Sequence, residues 1–245
     1  MRVLLLGGTA EARDLAHRLA ARDVEVVSSL AGRVARPRLP VGEVRVGGFG
    51  GVAGLRDHLR AEGYAAVVDA THPFAARISG HAAAACAEAG VPLLRLARPG
   101  WSGLAGSEAW HWVGGHDEAA LVTARLGARP FLTVGRQALG AFVGPLAGCA
   151  ALVRVVDEPE VAVPEAWTVV LSRGPYRLDD EAATLRAHRA DALVTKDSGG
   201  DHTRPKLDAA RSLGVPVVVV RRPPEPPDGA TVSEVGDAVD WVAAR

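Results

Sequence analysis

The chain has 245 residues, 48% of them apolar and only 4% aromatic, with 28 basic and 28 acidic side chains. A chain of this size buries a large core, here built mainly from Ala, Val and Leu, and holds one or two domains. The balanced charge excludes a global field that would draw nucleic acid or an anionic membrane, and no apolar run approaches the ~20 residues that span a bilayer.

In chain order, residues 2–6 predict a strand, too short and too soon followed by Gly7-Gly8 to act as a secretory signal. Residues 10–22 predict a helix, with Ala12, Leu15, Ala16 and Leu19 on one face at helical spacing. Strands are expected at 24–27, 44–46, 65–69 and 91–96, and helices at 54–62 and 78–89, the last ending near Gly90. This alternation is the signature of βαβ units and a mostly parallel sheet. Between 97 and 115 the pattern breaks. Pro99, four glycines from Gly100 to Gly114, and Trp101, Trp110 and Trp112 mark a crossover and the natural domain boundary.

A second alternating series follows, with strands expected at 131–134, 151–155, 168–171, 192–195 and 215–220. Its helices are expected at 117–126, 179–188, 205–213 and 234–244, and residues 221–229, with four prolines, read as a loop. The expected fold is therefore α/β: two Rossmann-like lobes with mostly parallel sheets and a cleft between them. Residues 1–98 form the first lobe, 99–116 the linker and 117–245 the second, with the last helix free to pack back on the first. Cys86 and Cys149 sit far apart among small residues, without metal or redox spacing, and read as core. A soluble cytoplasmic protein is the plain expectation.

Parallel α/β sheets bind ligands at the carboxyl ends of their strands, so the polar turns at those ends carry the functional reading. Gly7-Gly8-Thr9-Ala10-Glu11-Ala12 joins the first strand to the first helix and can offer backbone N–H groups to a phosphate. It departs from G-x-G-x-x-G at its third position; a tight turn capped by Thr9 is the plain alternative. The second strand runs into Ser28-Ser29-Leu30-Ala31-Gly32-Arg33, with no carboxylate to hold a ribose 2′-hydroxyl. Two hydroxyls and a guanidinium suit a 2′-phosphate, which favours NADPH over NADH. Asp69-Ala70-Thr71-His72-Pro73-Phe74 follows the strand at 65–69 and places an acid, a hydroxyl and an imidazole in one turn. Beside the other two turns it reads as part of the wall around the cofactor.

In the second lobe three turns are aligned: Thr133-Val134-Gly135-Arg136-Gln137, Ser172-Arg173-Gly174-Pro175-Tyr176, and Thr195-Lys196-Asp197-Ser198-Gly199-Gly200. A parallel sheet brings Arg136, Arg173 and Lys196 to one edge, and Lys206 at the start of the next helix joins them. Such a cluster suits a ligand with several carboxylates; the alternative is ordinary loop capping and scattered surface charge. His111 and His116, or His72 and His81, lack a third ligand, so no metal site is expected. There is no nucleophile elbow or P-loop. Neither Tyr64 nor Tyr176 has the Lys four residues on that a Tyr-x-x-x-Lys reductase would use; Val68 and Asp180 stand there.

Several of these segments together resemble the precorrin-6A reductases of corrin biosynthesis: 5–13, 29–33, Asp69 to Phe74, Gly135-Arg136-Gln137, Ser172-Arg173-Gly174-Pro175, 195–200 and Lys206. They run in the family's order from residue 2 to about 222, with Tyr176 where the family usually has Phe. The resemblance implies NADPH-dependent reduction of one double bond in the precorrin-6A macrocycle, on the way to cobalamin. It implies cofactor contacts at Gly7, Gly8, Thr9, Ala10, Ser28, Ser29, Arg33, Asp69, Ala70, Thr71, His72 and Pro73. Substrate contacts are expected at Arg136, Gln137, Arg173, Gly174, Lys196, Ser198, Gly199, Gly200 and Lys206. If a side chain supplies the proton, His72 and Lys196 are the candidates. The resemblance also admits transient contact with other corrin-pathway enzymes. The alternatives are the cobalt-precorrin-6A substrate of the anaerobic branch, or a non-catalytic NADPH- or tetrapyrrole-binding protein.

Overall fold

The computed structural model describes residues 1–32, 37–226 and 229–245. The chain divides into two compact units: Met1–Pro99 with Pro223–Arg245, and Gly100–Arg222.

The first unit opens with β1 (Arg2–Leu6), α1 (Ala10–Ala20), β2 (Glu25–Leu30), β3 (Glu43–Val46), α2 (Gly51–Glu62), β4 (Ala66–Asp69), α3 (Ala76–Ala89) and β5 (Leu93–Leu96). Successive side chains of a strand face opposite sides, and β1 shows how that builds three layers. Val3 and Leu5 pack with Ala12, Leu15, Ala16 and Leu19 of α1. Leu4 and Leu6 turn the other way, onto Leu55 and Leu59 of α2 and Ala82, Ala85 and Cys86 of α3. Each fully buried leucine contributes about 1.5–3 kcal/mol, so these two faces account for much of the unit's stability.

The second unit contains a 3₁₀ turn (Ser107–Ala109), β6 (His111–Val113), α4 (His116–Leu126), β7 (Pro130–Thr133), a second 3₁₀ turn (Arg136–Ala138) and α5 (Gly140–Val143). It continues with β8 (Leu152–Val155), β9 (Thr168–Leu171), α6 (Leu178–His188), β10 (Ala192–Lys196), α7 (Pro205–Ser212) and β11 (Val217–Val220). The chain then returns to the first unit as β12 (Ala230–Val232) and α8 (Val235–Ala243), whose Ala238, Val239 and Val242 pack in the same cluster as α1.

The two sheets run β12-β5-β4-β1-β2-β3 and β6-β11-β10-β7-β8-β9. Every neighbouring pair is parallel. Counted from β1 and from β7, both have the doubly wound order 3-2-1-4-5 followed by a sixth strand. The sixth strand comes last in the first unit (β12) and first in the second (β6). In this topology ligands bind at the switch point, at the carboxyl ends of strands 1 and 4. Those ends are β1 and β4 in one unit and β7 and β10 in the other.

Of the segment 99–116, expected as a linker, all but Pro99 falls within the second unit. Trp101 is buried in that unit's core beside Phe131, Leu193 and Leu207, and Trp110 and Trp112 pack against the same cluster. β6 and β12 were not foreseen. Each is three residues long, lies beside Gly- or Pro-rich chain, and exists by pairing with a distant strand: β6 with Val218–Val220, and β12 with Leu94–Leu96.

Candidate active site

At the first unit's switch point, the turns after β1 and β4 are bonded together. Gly8 has φ +113°, a conformation that favours glycine. Thr9 caps α1: its hydroxyl accepts from the Ala12 N–H (3.1 Å) and donates to the Ala70 carbonyl (2.8 Å). The Thr9 side chain is thus spent on joining the two turns. Glu11, in the first turn of α1, pairs with Arg98 at 2.7 Å, which offsets the repulsion a carboxylate there would exert on a bound phosphate.

Asp69 is 2% exposed. Its Oδ1 accepts from the Thr71 N–H (3.0 Å) and hydroxyl (2.6 Å), and its Oδ2 pairs with Arg95. Arg95 also donates to Ser79 Oγ at 2.9 Å. Both carboxylate oxygens therefore serve the protein, and Asp69 shapes the turn from beneath instead of lining it. His72 is half-buried, and its Nδ1 accepts from the Phe74 N–H at 3.2 Å. That bond leaves Nε2 as the ring's donor.

At the end of β2, Ser28 is 1% exposed, and among the described residues its Oγ has no hydrogen-bond partner. A buried hydroxyl left unsatisfied costs about 1–3 kcal/mol. It lines a concavity of about 210 Å³, open to solvent, together with Gly7, Gly8, Ala12, Arg13, Leu30, Arg38 and Pro40. Ser29 Oγ lies 3.5 Å from Arg45, whose guanidinium also donates to the Gly47 and Gly48 carbonyls and stacks on Phe49. Arg33 falls outside the described residues. Among the described residues two cations line the concavity, Arg13 and Arg38, neither of which the sequence reading named as a cofactor contact. The available signal was that residues 31–42 carry Arg33, Arg36 and Arg38 and no acid.

In the second unit, the ends of β7 and β10 converge. A Cβ built on Gly135 would lie 3.5 Å from Lys196 Nζ. Thr133 Oγ1 donates to the Val194 carbonyl at 2.9 Å, tying the two strand ends together. Burial pushes the Lys196 ammonium down to about 8. His116, at the start of α4, is lowered by burial and then by the charge of Lys196. Arg136 pairs at 3.2 Å with the exposed Glu160, a rim contact worth little by itself; Gln137 follows in the same turn. Arg173 is exposed after β9, two strands from β7. Beside it, Gly174 lies against the ring of Tyr176, whose hydroxyl donates to the Ser172 carbonyl. Ser198, Gly199 and Gly200 occupy the loop after β10.

Lys206, expected at the ligand edge, is only 4% exposed. The second position of α7 turns it inward with Leu207, Ala209 and Ala210, and Nζ stands 5.2 Å from the Trp101 ring centroid. Burial lowers it to about 7, with Arg154 and Lys196 acting in the same direction and Glu181 opposing. It is a buried amine beside the Arg154–Glu181 pair, not a member of a surface cluster. Sequence reasoning also passed over Asp197, which is 6% exposed and accepts from the Trp101 N–H at 2.8 Å.

Among the described residues, no group of three or more His, Cys, Asp or Glu could hold a metal ion, and no helix is long and apolar enough to cross a membrane. Burial pushes the Cys86 thiol up to about 12, with Asp69 adding to the shift, which marks an inert core residue.

Residues 2–243 match the family described as Precorrin-6x reductase CbiJ/CobK. A relative from Rhodococcus erythropolis, named Precorrin-6A reductase, is 53% identical over 242 residues, covering 98% of this chain and 97% of that protein. Its namesake in Mycobacterium tuberculosis is 54% identical over 244 residues, with 99% and 97% covered. A solved structure described as CobK precorrin-6A reductase superposes with a TM-score of 0.91 at 39% identity, covering 100% of this chain and 96% of that one. Relatives named Cobalt-precorrin-6A reductase are 28% to 31% identical. The match runs over nearly the whole length and takes in both parallel sheets: the chain belongs to the precorrin-6x reductase CbiJ/CobK family.

Proposed function

We propose that this chain reduces one double bond of precorrin-6A with NADPH, on the route to cobalamin. The observation that carries the reading is a pair of polar switch points on two doubly wound units. One has a concavity lined by Arg13, Arg38 and a buried Ser28 hydroxyl that has no hydrogen-bond partner among the described residues. The other has Lys196 beside the Gly135-Arg136-Gln137 turn. The metal-free substrate is favoured because relatives named for it are 43% to 54% identical, well above those named for the cobalt complex.

The first unit suits NADPH. Gly7, Gly8 and Ala10 present the α1 amino terminus to the pyrophosphate, and Thr9 and Asp69 hold that turn against the Ala70–Pro73 turn from within. Ser28 and Arg38, with Ser29 and Arg33 nearby in sequence, hold the ribose and its 2′-phosphate. Bound there, NADPH supplies the hydride. In the second unit Arg136, Gln137 and Arg173, with the Lys196–Gly200 loop, receive the carboxylates of the macrocycle. Reduction of a C=C bond needs a proton as well as the hydride. Lys196 Nζ, poised at about 8, holds one at neutral pH and releases it at small cost. His72 Nε2 is the second candidate donor.

The test is anaerobic incubation of the pure protein with precorrin-6A and either NADPH or NADH, following loss of the reduced-nicotinamide absorbance. Stoichiometric oxidation of NADPH with NADH nearly inert is the expected result. Tight precorrin binding without oxidation of either cofactor would instead identify a carrier.

A further inference from the structure

The second unit begins at Gly100 and ends at Arg222, and both ends of the unit meet one carboxylate. Asp197 Oδ1 accepts from the Trp101 N–H at 2.8 Å. Asp197 Oδ2 lies 3.5 Å from Arg222 Nε, which also donates to the Asp197 carbonyl at 2.9 Å. Gly100 packs so closely that a Cβ there would stand 2.6 Å from Asp197 Oδ2, a separation no side chain tolerates without displacement. Trp101 reaches the far end of the same loop, its indole Nε1 donating to the Gly200 carbonyl at 3.4 Å. The loop after β10 is thus bracketed at residues 197 and 200 by the first residues of the unit and tied to its last. Lys196 and Ser198 flank the bracketed carboxylate.

We propose that Asp197 is a positioning residue that sets the Lys196–Gly200 loop by clamping it to both ends of the unit's chain. The proposal rests on the reading of that loop as substrate-binding. Asp197 touches neither reactant. It fixes where the Lys196 ammonium and the Ser198 hydroxyl point, and a misplacement of about 1 Å at such groups costs on the order of 100-fold in rate.

Three substitutions approach the clamp from different sides. Asp197→Asn is isosteric and keeps an acceptor for Trp101 while losing the charge facing Arg222. Gly100→Ala pushes on Oδ2 with one methyl group. Trp101→Phe keeps an aromatic ring, though a smaller one, and the backbone donor but removes the bond to Gly200. Each is assayed for kcat and KM with precorrin-6A, for NADPH affinity and for Tm, with Lys196→Ala alongside. The expected result is a roughly 10- to 100-fold loss in kcat/KM for precorrin-6A in Asp197→Asn and Gly100→Ala. Trp101→Phe should lose less, and NADPH affinity should stay within about twofold in all three. The clamp is overturned if Asp197→Asn and Gly100→Ala turn over like wild type while Lys196→Ala is impaired. It is also overturned if NADPH affinity and Tm fall in step with kcat/KM, because that marks general loss of structure. A silent Lys196→Ala would remove the substrate role of the loop and the proposal with it.

Discussion

Asp69→Ala tests the internal support of the cofactor turn. The carboxylate is 2% exposed and Arg95 is nearly as buried. Its removal leaves the guanidinium with Ser79 Oγ and, at 3.9 Å, the half-exposed Glu225. Breaking a buried pair in this way costs about 3–5 kcal/mol, most of it the penalty of an uncompensated charge. The Thr71 N–H and hydroxyl lose their acceptor in the same step. For a unit of this size the loss corresponds to a fall of roughly 10–20 °C in its Tm. Asp69→Asn, which keeps an acceptor for Thr71, should lose about half as much. The double variant Asp69→Ala/Arg95→Met should recover most of the loss, since it removes both charges. Urea unfolding followed by circular dichroism measures the stabilities, and hydrogen exchange at residues 70–74 reports the turn. NADPH affinity should fall with turn order, because the Ala70 carbonyl holds Thr9 over the Gly7-Gly8 turn. A loss under about 1 kcal/mol, or additive single and double variants, would refute the buried-pair account.

Arg38→Ala should weaken NADPH about 10- to 100-fold and leave NADH nearly unchanged, as expected for loss of one charge-assisted bond to a 2′-phosphate; equal weakening of both cofactors removes that role, and Arg33→Ala read the same way divides it between the two arginines. With Lys196 protonated below about 8, turnover limited by proton delivery should be flat at neutral pH and fall as pH rises through that value. Lys196→Arg should abolish that limb along with most of the rate, and an unchanged limb would exclude Lys196 as donor. Lys206, lowered to about 7 by burial, releases its proton in the folded state while the unfolded chain keeps it up to the ordinary lysine range near ~10.4. The unfolded state therefore binds more protons across that window, and stability rises with pH from about 7 upward. Lys206→Met should flatten the rise of Tm between about pH 7 and pH 9, leaving the smaller contribution of Lys196; an identical slope would show that Lys206 is not the buried charge responsible.

Much of the fold was legible because its signals are local. The apolar runs of β1 and β4, the helical spacing of Ala12, Leu15, Ala16 and Leu19, and the glycine turn after β1 each announce themselves within a few residues. So do the polar turns at strand ends, and the parallel order then gathers them without further information. β6 and β12 were not legible, because a three-residue strand is stable only against a partner more than a hundred residues away along the chain. The tryptophan segment read as a linker because glycine and proline dominate its composition; its burial depends on the core of a sheet that follows it in sequence.

The same division runs through the candidate site. Residue type and position at a strand end belong to the sequence, and they located the turns at Gly7, Ser28, Asp69, Arg136 and Lys196. Which face of an element a side chain takes, and what already satisfies it there, belongs to packing. Packing turned Asp69 inward onto Arg95 and Thr71, sank Lys206 beneath Trp101, and left the Ser28 hydroxyl buried without a partner among the described residues. It also brought Gly100, Trp101 and Arg222 to a single carboxylate at residue 197. Chain order can state that a charge stands at the end of a strand. Whether that charge is offered to a ligand or spent inside the protein depends on neighbours brought together only when the sheets close, since a buried ion must find its partner there or bear the desolvation cost alone.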